Sequence, residues 1–164
     1  FTMVSHNGVW KPIAYSSQPN QNYRQAGQQV LADGLLGGES HADGLWTGWN
    51  GEDLSATIDL QAATPVHAIS ARFLQQSGSW ILLPKSVRYS VSLDGKRWTR
   101  VYARSLDVDA GNEQRIVQDV TFSAKKPLSA RYVRMEVDQY GTLPAGHNGA
   151  GDPAYFFVDE IVVE

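Results

Sequence analysis

A two-residue periodicity closed by an Asp-Gly turn constrains this chain more than any other feature. Val87, Tyr89, Val91 and Leu93 alternate with Arg88, Ser90 and Ser92; Asp94-Gly95 then supplies residues that tolerate positive φ, and Trp98 and Val101 resume the pattern. Successive side chains of a strand point to opposite faces, so this alternation specifies a half-buried hairpin and does not suit the 3.6-residue period of a helix. Leu54, Ala56, Ile58 and Leu60 repeat it against Ser55, Thr57 and Asp59. Ile116 to Phe122, Tyr132 to Val137 and Tyr155 to Val163 are further strand candidates, and Val66 to Phe73 is a near-continuous β-rich run, which brings the expected strands to at least seven. Strands at this spacing, joined by Gly, Pro, Asn and Asp turns, predict an all-β antiparallel sandwich or barrel, because an α/β fold needs helices of about 10–15 residues between strands. Only Gly27 to Leu31 and Lys85 to Ser86 leave room for a short helical turn.

A chain of 164 residues suits one domain. We expect that domain to span residues 11–164, with 1–10 as an N-terminal linker or tail. The net charge of −3 argues against nucleic acid, whose affinity rests on clustered Lys and Arg displacing counterions. No apolar run reaches the roughly 20 residues that a membrane-crossing helix needs, and without cysteine there is neither disulfide nor thiol chemistry. The first residue is Phe1 and no charged segment leads into an apolar core, so the chain is expected to be either a processed product or, the favoured reading, a domain excised from something longer.

Inward faces of a sandwich make the core, so function is expected in the loops at the sheet ends. Segments 37–53, 74–84 and 139–153 hold three of the five tryptophans and two of the four histidines. Trp46, Trp49, Trp80 and Tyr140 lie in or beside these Gly-rich loops. A sugar ring stacks its C–H face on an aromatic and presents hydroxyls to planar polar groups, for which Gln75, Gln76, His147 and Asn148 are the candidates. The alternative is that the tryptophans plug the open end of the sandwich. An apolar tip at Trp80-Ile81-Leu82-Leu83 would suit a lipid surface, but segment 74–84 has no cation before Lys85, and binding to anionic lipid normally adds a basic ring.

Asp33 and Glu160 could meet if the first and last strands are neighbours, giving hard carboxylates to Ca²⁺ with carbonyls of the 31–44 loop completing an oxygen shell. Otherwise Asp33 is a turn residue and Glu160 partners an arginine such as Arg131. Asp107 to Glu113 lacks the spacing of an EF-hand and reads as a solvated turn. Carboxylates are plentiful, yet nothing selects a glycosidase pair, and no Gly-x-Ser-x-Gly or His-Glu-x-x-His motif is present. His6 and His67 are expected to have surface or packing roles.

The succession LADG, DGLWTGW, ATIDL, GSWILLPKSVRYSVSLDGKRW, ARYVRMEV and FVDEIVV resembles the coagulation factor 5/8 type C (discoidin-like) family, which includes the family 32 carbohydrate-binding modules. The likeness spans roughly residues 10–164. GSWILLP and YGTLPAGHNGAGDPAYFFVDEI look most like the C-terminal module of bacterial family 20 β-N-acetylhexosaminidases, often termed chitobiases. The resemblance implies an eight-stranded jelly-roll sandwich of the galactose-binding-domain type with its termini close together. It implies a noncatalytic role beside an N-terminal glycosidase domain of the same polypeptide, in the periplasm or at the cell surface of a bacterium, with terminal GlcNAc, GalNAc or galactose as ligand. A packing module that binds no sugar is the alternative. One structural Ca²⁺ would fall on Asp33 and Glu160 with a carbonyl near Leu31, although LLGG stands where the family usually has Asn-x-x-Thr.

Overall fold

The computed structural model describes residues 1–23 and 29–164. Among them nine strands follow one another: β1 (Thr2–Met3), β2 (Ile13–Tyr15), β3 (Leu35–Leu36), β4 (Thr47–Asn50), β5 (Leu54–Gln75), β6 (Ser86–Ser92), β7 (Thr99–Ser105), β8 (Ile116–Asp138) and β9 (Tyr155–Val163). The only helical turns described are 3₁₀ turns at Gln21–Tyr23 and Ser77–Ser79. The turn expected from Gly27 begins outside the described residues, and the one expected at Lys85 to Ser86 is absent because Ser86 opens β6.

All strand pairs are antiparallel, in the order β4-β9-β5-β8-β6-β7 with β2 added to β5. The jelly-roll sandwich arises because β5 and β8 run through both layers as one long pair. Their register breaks between Asp59 and Thr64 and again between Val66 and Ala68, and Gln61 takes the corner at φ 71°. This corner joins the two expected strands Leu54 to Leu60 and Val66 to Phe73 into one, and its counterpart joins Ile116 to Phe122 with Tyr132 to Val137. Before the corner β5 pairs with β2 and the end of β8; after it, with β9 and the start of β8.

The two faces meet over a core in which Ala56, Ile58, Phe73, Tyr89, Val133 and Phe156 are fully buried. Tyr89 crosses from β6 to the opposite layer and donates its hydroxyl to the Val120 carbonyl at 2.7 Å. In the first half of β5 burial alternates strictly from Leu54 to Leu60, as the periodicity requires. Leu93 departs from the expected inward set: it is exposed, because the chain leaves the sheet at Ser92 to enter the Asp94-Gly95 turn. Trp98 lies on the outer face, where the Arg134 guanidinium stacks 3.7 Å from its ring centre.

Residues 1–10, expected as a tail, are fastened to the sandwich. β1 pairs with β3, Asn7 N–H donates to the Val163 carbonyl at 2.8 Å, and Trp10 N–H donates to that of Ala32 at 2.7 Å. The chain's two ends therefore lie side by side.

On the outer face, Arg88 of β6 bridges Glu136 and Asp138 of β8. The Arg88 guanidinium and the Ser86 hydroxyl hold the Asp138 carboxyl below the usual carboxylate range. A carboxyl depressed on folding stabilises the native state above its unfolded pKa, and that contribution disappears as pH falls through the folded value. Asp138→Asn should therefore flatten the loss of stability below about pH 4, which urea melts at neutral and acid pH would register as a smaller pH difference than in the parent chain.

Candidate functional site

Strand parity brings three loops to one end of the sandwich. Ser86 opens β6 opposite Ser105, the last residue of β7, and opposite Asp138, the last residue of β8. The connections 76–85, 106–115 and 139–154 consequently leave the sheets at the same place. Between them lies a cleft of about 500 Å³ lined by Ser77, Gly78, Ala110, Gly111, Glu113 and the stretch 144–148.

Ser77 is the hub of that cleft. It is buried, and its hydroxyl lies within hydrogen-bonding reach of the Ala110 carbonyl and of His147 Nε2, 3.0 Å away, so one side chain touches all three loops. His147 Nδ1 accepts the Gly149 N–H at 3.0 Å, which places the ring proton on Nε2, where it is donated to the Ser77 carbonyl at 2.9 Å. Both nitrogens are thus engaged within the protein. His147 positions the 144–149 loop and offers the cleft its ring. Asn148 Nδ2 donates to the Gly78 carbonyl at 3.2 Å and its side chain is otherwise exposed. Asp109 Oδ1 accepts the Gly111 N–H at 2.9 Å, folding the third loop so that Glu113 borders the cleft. Among the described residues that line it, Glu113 is the one charged side chain.

Trp80 and Tyr140 stand behind this rim. Both are half-buried and pack on the cluster of Leu82, Leu143 and Ala154 that carries the loops. Trp80 closes the Ser77–Ser79 turn at φ 67°, and its indole lies where a Cβ on Gly149 would fall 2.4 Å from Cε2, so glycine is required for the loop to rest on the ring.

Two expected ligand contacts are corrected by burial. Trp49 is fully buried on β4, stacked on Phe156 with centroids 5.5 Å apart and donating Nε1–H to the Ser17 carbonyl at 3.1 Å. The sequence TGWN reads as loop because of Gly48 and Asn50, yet Gly48 is there to let the Phe157 ring lie within 2.5 Å of where a Cβ would be. Gln75 is also buried: its Nε2 donates to the Asp109 carbonyl at 2.8 Å and its Oε1 accepts from Leu83 N–H. Gln76 is not among the residues that line the cleft and pairs with His41 at 3.1 Å. Trp46 is buried as well, under the Arg72 guanidinium, so two tryptophans are the end plugs of the alternative reading. Ile81, Leu82 and Leu83 are buried and leave no apolar tip for lipid.

Of the expected ligand set, the cleft therefore contains His147 and Asn148. The sequence reading missed Ser77, Ala110, Gly111 and Glu113. The parity of the Asp94-Gly95 hairpin was the available signal, since it forces the loop after β7 to the end from which β6 starts.

Beside the second half of the last strand, Asp33, Leu31 and Glu160 do come together. Glu160 is buried; its Oε1 accepts His6 Nε2–H and Gly34 N–H, each at 2.8 Å, and its Oε2 accepts Asp33 N–H at 3.3 Å. His6, and not Arg131, is its partner; Arg131 pairs with Asp59 at 2.9 Å. Asp33 Oδ1 accepts Leu35 N–H, and the Leu31 carbonyl accepts Ile161 N–H at 2.8 Å. Neighbouring Asp159 takes Gly37 N–H at 2.9 Å and the Arg72 guanidinium. Burial pushes the carboxyls of Asp33, Asp159 and Glu160 upward, with His6 opposing it at Glu160 and Arg72 opposing it at Asp159. Calcium takes six to eight oxygens. The Asp33 and Glu160 carboxyls lie against one another, but Glu160 already accepts three N–H groups, Asp33 one, and the Leu31 carbonyl that of Ile161, so as arranged these oxygens are engaged by the protein and do not fit that ion.

Comparison with known proteins adds to this geometry. The F5/8 type C domain pattern matches residues 12–151. Chitosan-binding module 1 of a chitosanase/glucanase from Paenibacillus sp. IK-5 superposes with a TM-score of 0.60 at 18% identity, covering 98% of this chain and 99% of that one. A fucose binding module from Streptococcus pneumoniae gives 0.57 at 14% identity, with 98% of each chain covered. CBM32-3 of a family 31 glycoside hydrolase from Clostridium perfringens gives 0.53 at 21% identity, covering 94% and 90%. At these identities the likeness establishes the fold. No curated protein matches the sequence.

Proposed function

This chain belongs to the F5/8 type C domain family, and from that premise we propose that it is a noncatalytic carbohydrate-binding module whose ligand enters the cleft between the 77–78, 110–113 and 144–148 loops. The observation that carries this reading is the cleft itself: open, polar, preorganised by Ser77 and His147, and bordered by the Asn148 amide and the Glu113 carboxylate. Hydroxyls of a sugar need such planar donors and acceptors. A single carboxylate borders the cleft, whereas the two-carboxylate route of glycoside hydrolysis needs a second about 5–9.5 Å away.

The ligand we infer is a glycan ending in GlcNAc, GalNAc or galactose, and the module's role is to hold a parent enzyme near it. The chitosan-binding and fucose binding relatives, and the module attached to a family 31 glycoside hydrolase, support the ligand class and the attachment to a glycosidase. The GSWILLP and YGTLPAGHNGAGDPAYFFVDEI stretches favour a secreted bacterial β-N-acetylhexosaminidase of the chitobiase kind, with the catalytic domain N-terminal in the same polypeptide and the whole in the periplasm or at the cell surface.

A shallow site of this kind should bind with Kd about 0.1–1 mM. Titration by NMR against oligosaccharides ending in GlcNAc, GalNAc, galactose and glucosamine is expected to move amide signals of residues 77–78, 110–113 and 144–148. Glu113→Gln should weaken the glucosamine oligomers selectively, because only they carry an ammonium group for the carboxylate. Absence of any shift at about ten times the expected Kd would remove the proposal's support.

A further inference from the structure

Loop 31–38 is anchored to the last strand by protein groups, and the anchorage has two parts. Glu160 receives three N–H groups, from His6, Asp33 and Gly34. Asp159, on the adjacent residue, receives Gly37 N–H and the Arg72 guanidinium, while Arg72 also donates to the Gly37 carbonyl at 2.8 Å. The two carboxylates of β9 thus hold the loop at positions 33–34 and at 37, one on each side of β3.

The tautomer of His6 completes the case. Its Nδ1 accepts Gly8 N–H at 3.1 Å and Val163 N–H at 3.3 Å, so the ring proton sits on Nε2 and faces Glu160. The imidazole therefore offers Glu160 a donor and keeps no lone pair for a metal on that side. Both His6 and Glu160 side chains are wholly inaccessible. Glu160 faces the Asp33 carboxyl on one side and accepts three N–H groups on the others, and those N–H groups would have to be turned away before a hard cation could use the oxygens they occupy.

We propose that in this chain the His6 imidazole and the Arg72 guanidinium, acting through Glu160 and Asp159, take over the fastening role that the family resemblance assigns to calcium. The N-terminal segment is then a structural strap of the sandwich, and its histidine is what makes the fold independent of a divalent ion. None of His6, Arg72, Asp159 and Glu160 lines the glycan cleft, and the proposal does not depend on what the cleft binds.

The test is thermal unfolding of the chain after exhaustive dialysis against EDTA and again in millimolar CaCl₂, with equilibrium dialysis of Ca²⁺ itself as the companion measurement. The expected result is the same Tm in both buffers and no retained calcium. A Tm higher by roughly 5 °C or more in calcium, or one Ca²⁺ retained per chain, would overturn the proposal. The second arm uses variants: His6→Ala should lower Tm in both buffers alike, and His6→Gln, whose amide keeps an N–H for Glu160, should recover part of the loss. If His6→Ala melts with the parent chain, the strap is not what fastens the loop and the idea fails on that side. A variant that does not fold leaves the dialysis and parent-chain melts to decide.

Discussion

Trp49→Ala is expected to lower the unfolding free energy by about 3–5 kcal/mol, the range for deleting a buried large aromatic from a close-packed core. Trp49 has no exposed surface, lies flat on Phe156, and fills the space between β4 and the first turn of the chain near Tyr15 and Ser17. Truncation removes the stacking, opens a cavity that β4 has too few residues to collapse, and leaves the Ser17 carbonyl without its donor. Chemical denaturation should show the midpoint falling sharply with little change in slope. Glycan affinity of the folded fraction should be unchanged, because the indole borders the core and not the cleft. A variant of parental stability with lost binding would return Trp49 to the ligand contacts and overturn its assignment to the core.

His147→Ala should have the largest effect on glycan binding, weakening it about tenfold, equivalent to about 1.4 kcal/mol. The side chain joins its own loop to the Ser77 turn through Nε2 and braces Gly149 through Nδ1. Without it the 144–148 stretch must be ordered by the ligand itself, and that ordering is subtracted from affinity. Stability should hardly move, since the loop packs on the Trp80 and Leu143 cluster independently of the imidazole. His147→Gln, which can still donate an N–H to the Ser77 carbonyl, should retain part of the affinity. Equal binding by the parent and alanine chains would show that this loop is not part of the recognition surface.

The two results would separate groups that look alike in a linear reading. Trp49 and Trp80 both sit among glycines and polar residues, and both were candidates for stacking on a sugar. One is a core plug and the other a buttress under the cleft rim. The difference lies in Phe156, which covers Trp49 from a strand over a hundred positions away, and no local pattern around WTGWN announces that partner. Gln75 is similar: its polarity suggested a ligand contact, but the inner end of β5 places its amide against the backbone of Asp109 and Leu83, where it satisfies groups that would otherwise be buried unpaired.

Strand content, antiparallel pairing and the central hairpin were legible because they rest on short-range physics. A period of two, β-branched and aromatic residues, and an Asp-Gly pair each act within a few positions, so Leu54 to Leu60 and Tyr155 to Val163 could be read directly from their residues. The corner at Gln61, which merges two expected strands into β5, was hidden, since a register break between layers depends on the partner β8 as much as on β5. The strap at residues 1–10 was hidden for the same reason: His6 has meaning only beside Glu160, 154 positions later. Alternation and turn chemistry by themselves determined that this chain makes antiparallel sheets with functional loops at their ends. Only the tertiary structure decided which aromatics are swallowed, which donors the two terminal carboxylates accept, and which three loops enclose a cleft, because burial and hydrogen-bond satisfaction are properties of neighbours in space that the chain supplies from distant positions.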